Sequence, residues 1–142
     1  MFVQAPLLAP VFALVAWTFV VLLLVAFRRI RAALAGEVEP ADFAMGESRR
    51  VPDAVALANR NYMNLLELPV LFYVACVAAT ALGAATAAMT ATAWTYVALR
   101  VAHSLIHVTY NRLADRFVAF AASNATLAVL WFQFGLTLRE AG

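Results

Sequence analysis

The first 27 residues, "MFVQAPLLAPVFALVAWTFVVLLLVAF", carry no charged side chain, and "RRIR" follows at once at 28–31. Roughly 20 consecutive apolar residues suffice to cross the hydrocarbon core as a helix. Only helices and closed barrels can cross, because lipid offers no partner to a free backbone N–H or C=O. A cleavable leader places its positive charge before the apolar run. Here the charge comes after it, so the run reads as a retained first span that enters the membrane N-terminus first.

The remaining chain extends that reading. Of 142 residues, 65% are hydrophobic, and the mean hydropathy is +0.86, well above the roughly half-apolar make-up of soluble domains. Residues 32–53, "AALAGEVEPADFAMGESRRVPD", form the one long polar loop, broken by Gly36, Pro40 and Gly46. Pro52 and Asp53 suit a helix start. The small-residue stretch around Gly83 marks a tight uncharged turn, and "NRLADR" (111–116) a short charged one. The expected architecture is therefore a single all-α domain over 1–142. It is an up-down bundle of four transmembrane helices, with spans at about 6–28, 53–81, 87–110 and 117–138. No internal repeat or low-complexity tail interrupts it.

Charge sets orientation and limits partners. All ten basic residues are arginine. Arg28, Arg29, Arg31, Arg49 and Arg50 lie in the first connection, and Arg112 and Arg116 in the third. The positive-inside rule puts both connections in the cytoplasm and both chain ends on the far side. We expect an integral protein of a bacterial-type inner membrane, in contact with lipid. A net charge of only +2 gives no reason to expect nucleic acid as a partner. The single Cys76 excludes an intrachain disulfide and reads as a small buried hydrophobe.

Polar residues inside membrane helices are costly and mark function by default. Arg60, Asn64 and Glu67 recur at i, i+4, i+7, and Arg100, His103 and His107 at i, i+3, i+7, so each set occupies one helix face. Glu67 lies about 21 Å along its helix from Asp53, and Arg100 about 18 Å from Arg112, at 1.5 Å per residue. Similar depth on antiparallel neighbours predicts a Glu67–Arg100 ion pair. Interhelical glue alone is the competing explanation for these residues. His103 and His107, four apart, can share a metal ion. A catalytic metal generally needs three protein ligands, and this chain offers them only if Glu67 leaves Arg100, so no metal is expected. Arg112 and Arg116 bracket the last turn as membrane anchors. Arg116, at the start of the fourth helix, also adds to the helix dipole in stabilising an anion.

Two segments resemble the family of membrane-associated proteins in eicosanoid and glutathione metabolism (MAPEG). "RNYMNLLELP" (60–69) is similar to the family's second-helix motif of arginine, asparagine, glutamate and proline, through Arg60, Asn64, Glu67 and Pro69. A second register, with Asn61 as the asparagine and Asn64 in the glutamate's place, fits too. "RVAHSLIHVTYNRLADR" (100–116) resembles the segment of the prostaglandin E synthase members in which Arg100, His103, Arg112 and Arg116 fall in step. "RRIR" resembles the basic end of the first span, with Arg29 as the chosen carboxylate ligand.

The resemblance implies a homotrimer that binds glutathione between subunits near the cytoplasmic side, with a small hydrophobic second substrate arriving from the bilayer. Arg116 corresponds to the residue that holds the thiolate. Arg29, Arg60, Asn64, Glu67, Arg100, His103, His107, Tyr110 and Arg112 are the remaining candidates for the site. His107 stands where the prostaglandin enzyme has tyrosine, so a tyrosine donor is either Tyr110 or missing. Arginine forks suit the two carboxylates of glutathione, and Glu67 or Asn64 suits its ammonium. Three classes of function are then open: a glutathione-dependent transferase or peroxidase, a non-catalytic lipid- or thiol-binding accessory protein of the same fold, and a metal-dependent membrane enzyme built on the two histidines.

Overall fold

The computed structural model describes residues 5–141. Helix α1 spans Leu8–Leu34, α2 Asp53–Leu66, α3 Pro69–Ala81, α4 Ala87–Val108 and α5 Leu113–Ala141, with one 3-10 turn at Pro40–Phe43. Helices α2 and α3 follow one another along a single traverse, so the five helices make a four-helix membrane bundle. Three traverses, Leu8–Leu34, Asp53–Ala81 and Leu113–Glu140, are long and apolar enough to cross a bilayer. The fourth, α4, has 22 residues, about 33 Å at 1.5 Å per residue. Its apolar character is diluted by Arg100, His103 and His107, which it turns inward.

Two boundaries differ from the sequence expectation. Helix α1 continues through Arg28–Arg31 to Leu34, because arginines are good helix formers and Gly36, at φ +72, is the first residue to need a left-handed conformation. Helix α5 begins at Leu113 instead of near Phe117, one turn earlier, so Arg116 belongs to its first turn.

The second traverse is not one continuous helix. Pro69 has no N–H, so the Leu65 carbonyl loses its helical donor. The backbone turns away at Glu67, with φ −84 and ψ −101, and Pro69 opens α3 at a position where its missing donor costs nothing. Val70 and Leu71 bond back to the carbonyls of Glu67 and Leu68 at 3.1 and 3.0 Å.

The core is apolar through the middle of the bundle. Leu14, Val21, Leu65, Phe72, Met89, Tyr96, Leu130 and Phe134 pack together there, and Phe72 stacks on Tyr96 with ring centroids 4.7 Å apart. Helix α4 packs most extensively on α5, and α1 on α2. At the arginine-rich end, the Arg28 guanidinium donates to the carbonyls of Ala54 (2.6 Å) and Val108 (3.1 Å). One side chain thereby ties the end of α1 to the start of α2 and the end of α4.

The polar loop is folded. The Asp42 carboxylate accepts from Ser48 Oγ (2.6 Å) and the Glu39 N–H (2.8 Å). The Ser48 hydroxyl, then the Glu39 amide, and more weakly the Arg50 charge hold this carboxyl below its ordinary value of 3.8. Val38 and Val51 close over Ala32 and Val55 beneath it.

Candidate functional site

One cavity, of about 440 Å³, opens at the arginine-rich end of the bundle. It is lined by Arg60, Met63, Asn64 and Glu67 from the second traverse, His103 and His107 from α4, and Leu113, Arg116, Phe117 and Phe120 from α5. Its volume falls in the roughly 300–1,000 Å³ range of small-molecule sites. The two polar faces read from spacing do converge here, and the first turn of α5 supplies the third wall.

Each wall is built locally. Asn64 Nδ2 donates to the Arg60 carbonyl at 2.9 Å, which leaves its Oδ1 as an acceptor. Asn61, by contrast, is fully buried, and its amide donates to Ser104 Oγ at 2.6 Å; it ties α2 to α4 and does not line the cavity. The His103 and His107 rings meet edge to face, 5.7 Å apart. Both have a buried Nδ1 without a hydrogen-bond partner among the described residues. Phe120 closes the apolar side and lies 5.7 Å from His103.

Arg116 is fixed by a residue that spacing did not single out. Asn111 has φ +46, the one positive value outside glycine among the described residues. Its N–H caps α4 through the Ile106 carbonyl at 2.8 Å, and its Oδ1 accepts from Arg116 Nη1 at 2.7 Å. Asparagine tolerates the left-handed conformation better than most residues, and an asparagine just past a helix end is the signal that identifies it.

The expected Glu67–Arg100 ion pair is not formed. Among the described residues the ion pairs are Arg29–Glu47 and Arg50–Glu39, both at 3.9 Å. Arg100 is fully buried. Its Nη2 donates to the backbone carbonyl of Asn64, and its guanidinium lies 5.8 Å from the Phe120 ring centroid. Its Nε and Nη1 have no hydrogen-bond partner among the described residues. Arg100 reaches the second traverse at the Asn64 carbonyl, next to the helix break, while Glu67 lines the cavity.

Four sequence candidates lie elsewhere. Arg100 sits behind the Asn64 wall. Arg29 pairs with Glu47 and covers the Phe43 ring at 4.7 Å, which anchors the loop. Tyr110 is 62% exposed, and neither it nor the exposed Arg112 reaches the cavity lining. The histidines have no further ligands gathered round them: among the described residues no three His, Cys, Asp or Glu side chains come together as a metal site.

Fold and site together define a polytopic helical membrane protein with an arginine-bearing pocket at one end. A family model described as the MAPEG family matches residues 7–136, nearly the whole chain, and the protein belongs to that family. No curated protein and no solved structure matches the chain.

Proposed function

We propose that the protein is a glutathione-dependent transferase or peroxidase acting on lipophilic electrophiles or hydroperoxides within the membrane. The observation that carries this reading is the cavity itself. It brings Arg60, Asn64, Glu67 and Arg116 around one volume, with Phe117 and Phe120 on its apolar side. Family membership supports it, since glutathione transferases and peroxidases belong to that family.

The chemistry suits these residues. A free thiol is only a few per cent ionised at neutral pH, and the thiolate is the nucleophile. Arg116 lies in the first turn of α5, where its charge and the helix dipole act together on a thiolate without exchanging a proton. Arg60 suits a glutathione carboxylate, and Glu67 its ammonium. In conjugation the thiolate sulfur forms a C–S bond to the electrophile, and the displaced electron pair leaves with the leaving group. In peroxide reduction the sulfur attacks one peroxide oxygen and the O–O bond breaks, releasing an alcohol. The sulfenate takes up a proton from water, and the thiol of a second glutathione then attacks the sulfenic sulfur, giving the disulfide and water.

The test is a glutathione titration of the folded, detergent-solubilised protein, followed by thiolate absorbance in the ultraviolet. A stoichiometric thiolate near neutral pH, lost in Arg116→Ala, is the expected result. Glutathione bound without thiolate would assign the chain a binding role on the same fold.

A further inference from the structure

Arg116 has a long, rotatable side chain, and an arginine on a solvated helix start ordinarily samples many rotamers, whose entropy is lost when it is held. Something must hold it if it is to act at one point of the cavity. Among the described residues one side chain does so. Asn111 Oδ1 takes a hydrogen from Arg116 Nη1 at 2.7 Å, within the short range of charge-assisted bonds. Asn111 is itself immobilised. Its own N–H is bonded to Ile106 at 2.8 Å, and its backbone is committed to φ +46. The bond spans the α4–α5 turn, so it links the end of the histidine-bearing helix to the start of the arginine-bearing one.

We infer that Asn111 is a positioning residue, which sets the guanidinium of Arg116 over the cavity and thereby sets the acidity of the thiol bound there. This rests on the glutathione reading above. Asn111 does not line the cavity and touches no substrate; it acts through Arg116. The amide oxygen suits the task because it accepts a strong hydrogen bond while leaving the arginine's charge undiminished. A carboxylate at this position would neutralise that charge and oppose a thiolate.

The substitution that separates positioning from folding is Asn111→Gly. Glycine adopts positive φ without steric cost, so the turn and the α4 cap persist while the acceptor is lost. The measurement is a pH titration of bound-thiolate absorbance in wild type, Asn111→Gly, Arg116→Ala and the double variant. Helical content and detergent-phase size are checked in each.

In Asn111→Gly the bound thiol is expected to titrate about one pH unit higher, a roughly tenfold loss of thiolate at fixed pH, with the fold intact. In the Arg116→Ala background the same substitution should add nothing, since residues acting through one group are not additive. An Asn111→Gly protein that titrates like wild type, while Arg116→Ala does not, overturns the inference and leaves the glutathione reading standing. An equal shift with and without Arg116 also overturns it. A wild-type protein that forms no thiolate at all overturns both.

Discussion

At Arg100 the chain buries a guanidinium and answers it with a backbone carbonyl. The sequence shows that a charge lies at that depth on that face, because 1.5 Å per residue and the 3.6-residue turn fix both. It does not show the partner, because the Asn64 carbonyl becomes available only through the backbone departure at Glu67. Opposite outcomes are expected for the two residues once read as a pair. Arg100→Ala leaves a cavity and an unpaired buried carbonyl, and should lower the unfolding free energy by about 3 kcal/mol. Glu67→Gln, at an outward-facing position, should change it by no more than about 0.5 kcal/mol yet weaken glutathione binding. Denaturant unfolding in detergent, beside a binding titration, checks both. Equal destabilisation by the two substitutions would restore the ion pair. Arg60, Asn64, Glu67, His103 and His107 were legible because spacing puts them on two polar faces, and Arg116 because it stands at the start of the last helix; Phe120 carries no periodic signal, and Asn111 carries only the local one of an asparagine past a helix end.

At the scale of elements, the second traverse and the polar loop each do more than connect. Pro69 was visible in the sequence, but the segments on either side of it, 53–68 and 70–81, read together as one helix. The interruption depends on the missing N–H, and so on geometry that hydropathy does not carry. Pro69→Ala restores that N–H and should draw the two helices into one, moving Asn64 and Glu67 relative to the cavity. We expect glutathione affinity to fall about tenfold, roughly 1.4 kcal/mol, with helical content preserved. Calorimetric titration checks the affinity; unchanged binding would show that the break has no part in the site. In the loop, the Asp42 carboxyl is depressed in the folded state by Ser48 and the Glu39 amide. Its contribution to loop order is therefore full above the ordinary carboxylate value and is lost as pH falls through the depressed one. Asp42→Asn should mimic that loss at neutral pH. Faster tryptic cleavage at Arg49 and Arg50 is the readout, and an unchanged rate would mean that Val38 and Val51 hold the loop without the carboxylate.

Across the whole molecule, large apolar side chains point outward along the bundle, among them Phe12, Phe19, Leu23 and Phe27 on α1 and Phe117, Val118 and Phe132 on α5. Such a surface meets lipid or further copies of the chain, and the general habit of the family leads us to expect a trimer. Light scattering in detergent, corrected for bound detergent, should give three chains per particle; a monomer would require the cavity to work within one chain. The two ends of the bundle differ in kind. One is closed by a turn of small residues around Gly83, the other carries the cavity and the Arg28 tie. Asn64 belongs to both the cavity and the interior, since its side chain lines the one while its carbonyl seats Arg100 in the other. Two equilibria that share a residue are bound by reciprocity: whatever factor the Arg100 contact adds to ligand affinity, the ligand returns to that contact. The gain in unfolding free energy that glutathione confers should then shrink in Arg100→Ala by the amount its affinity falls, making a melting curve a readout of how firmly the pocket wall is bolted to the core.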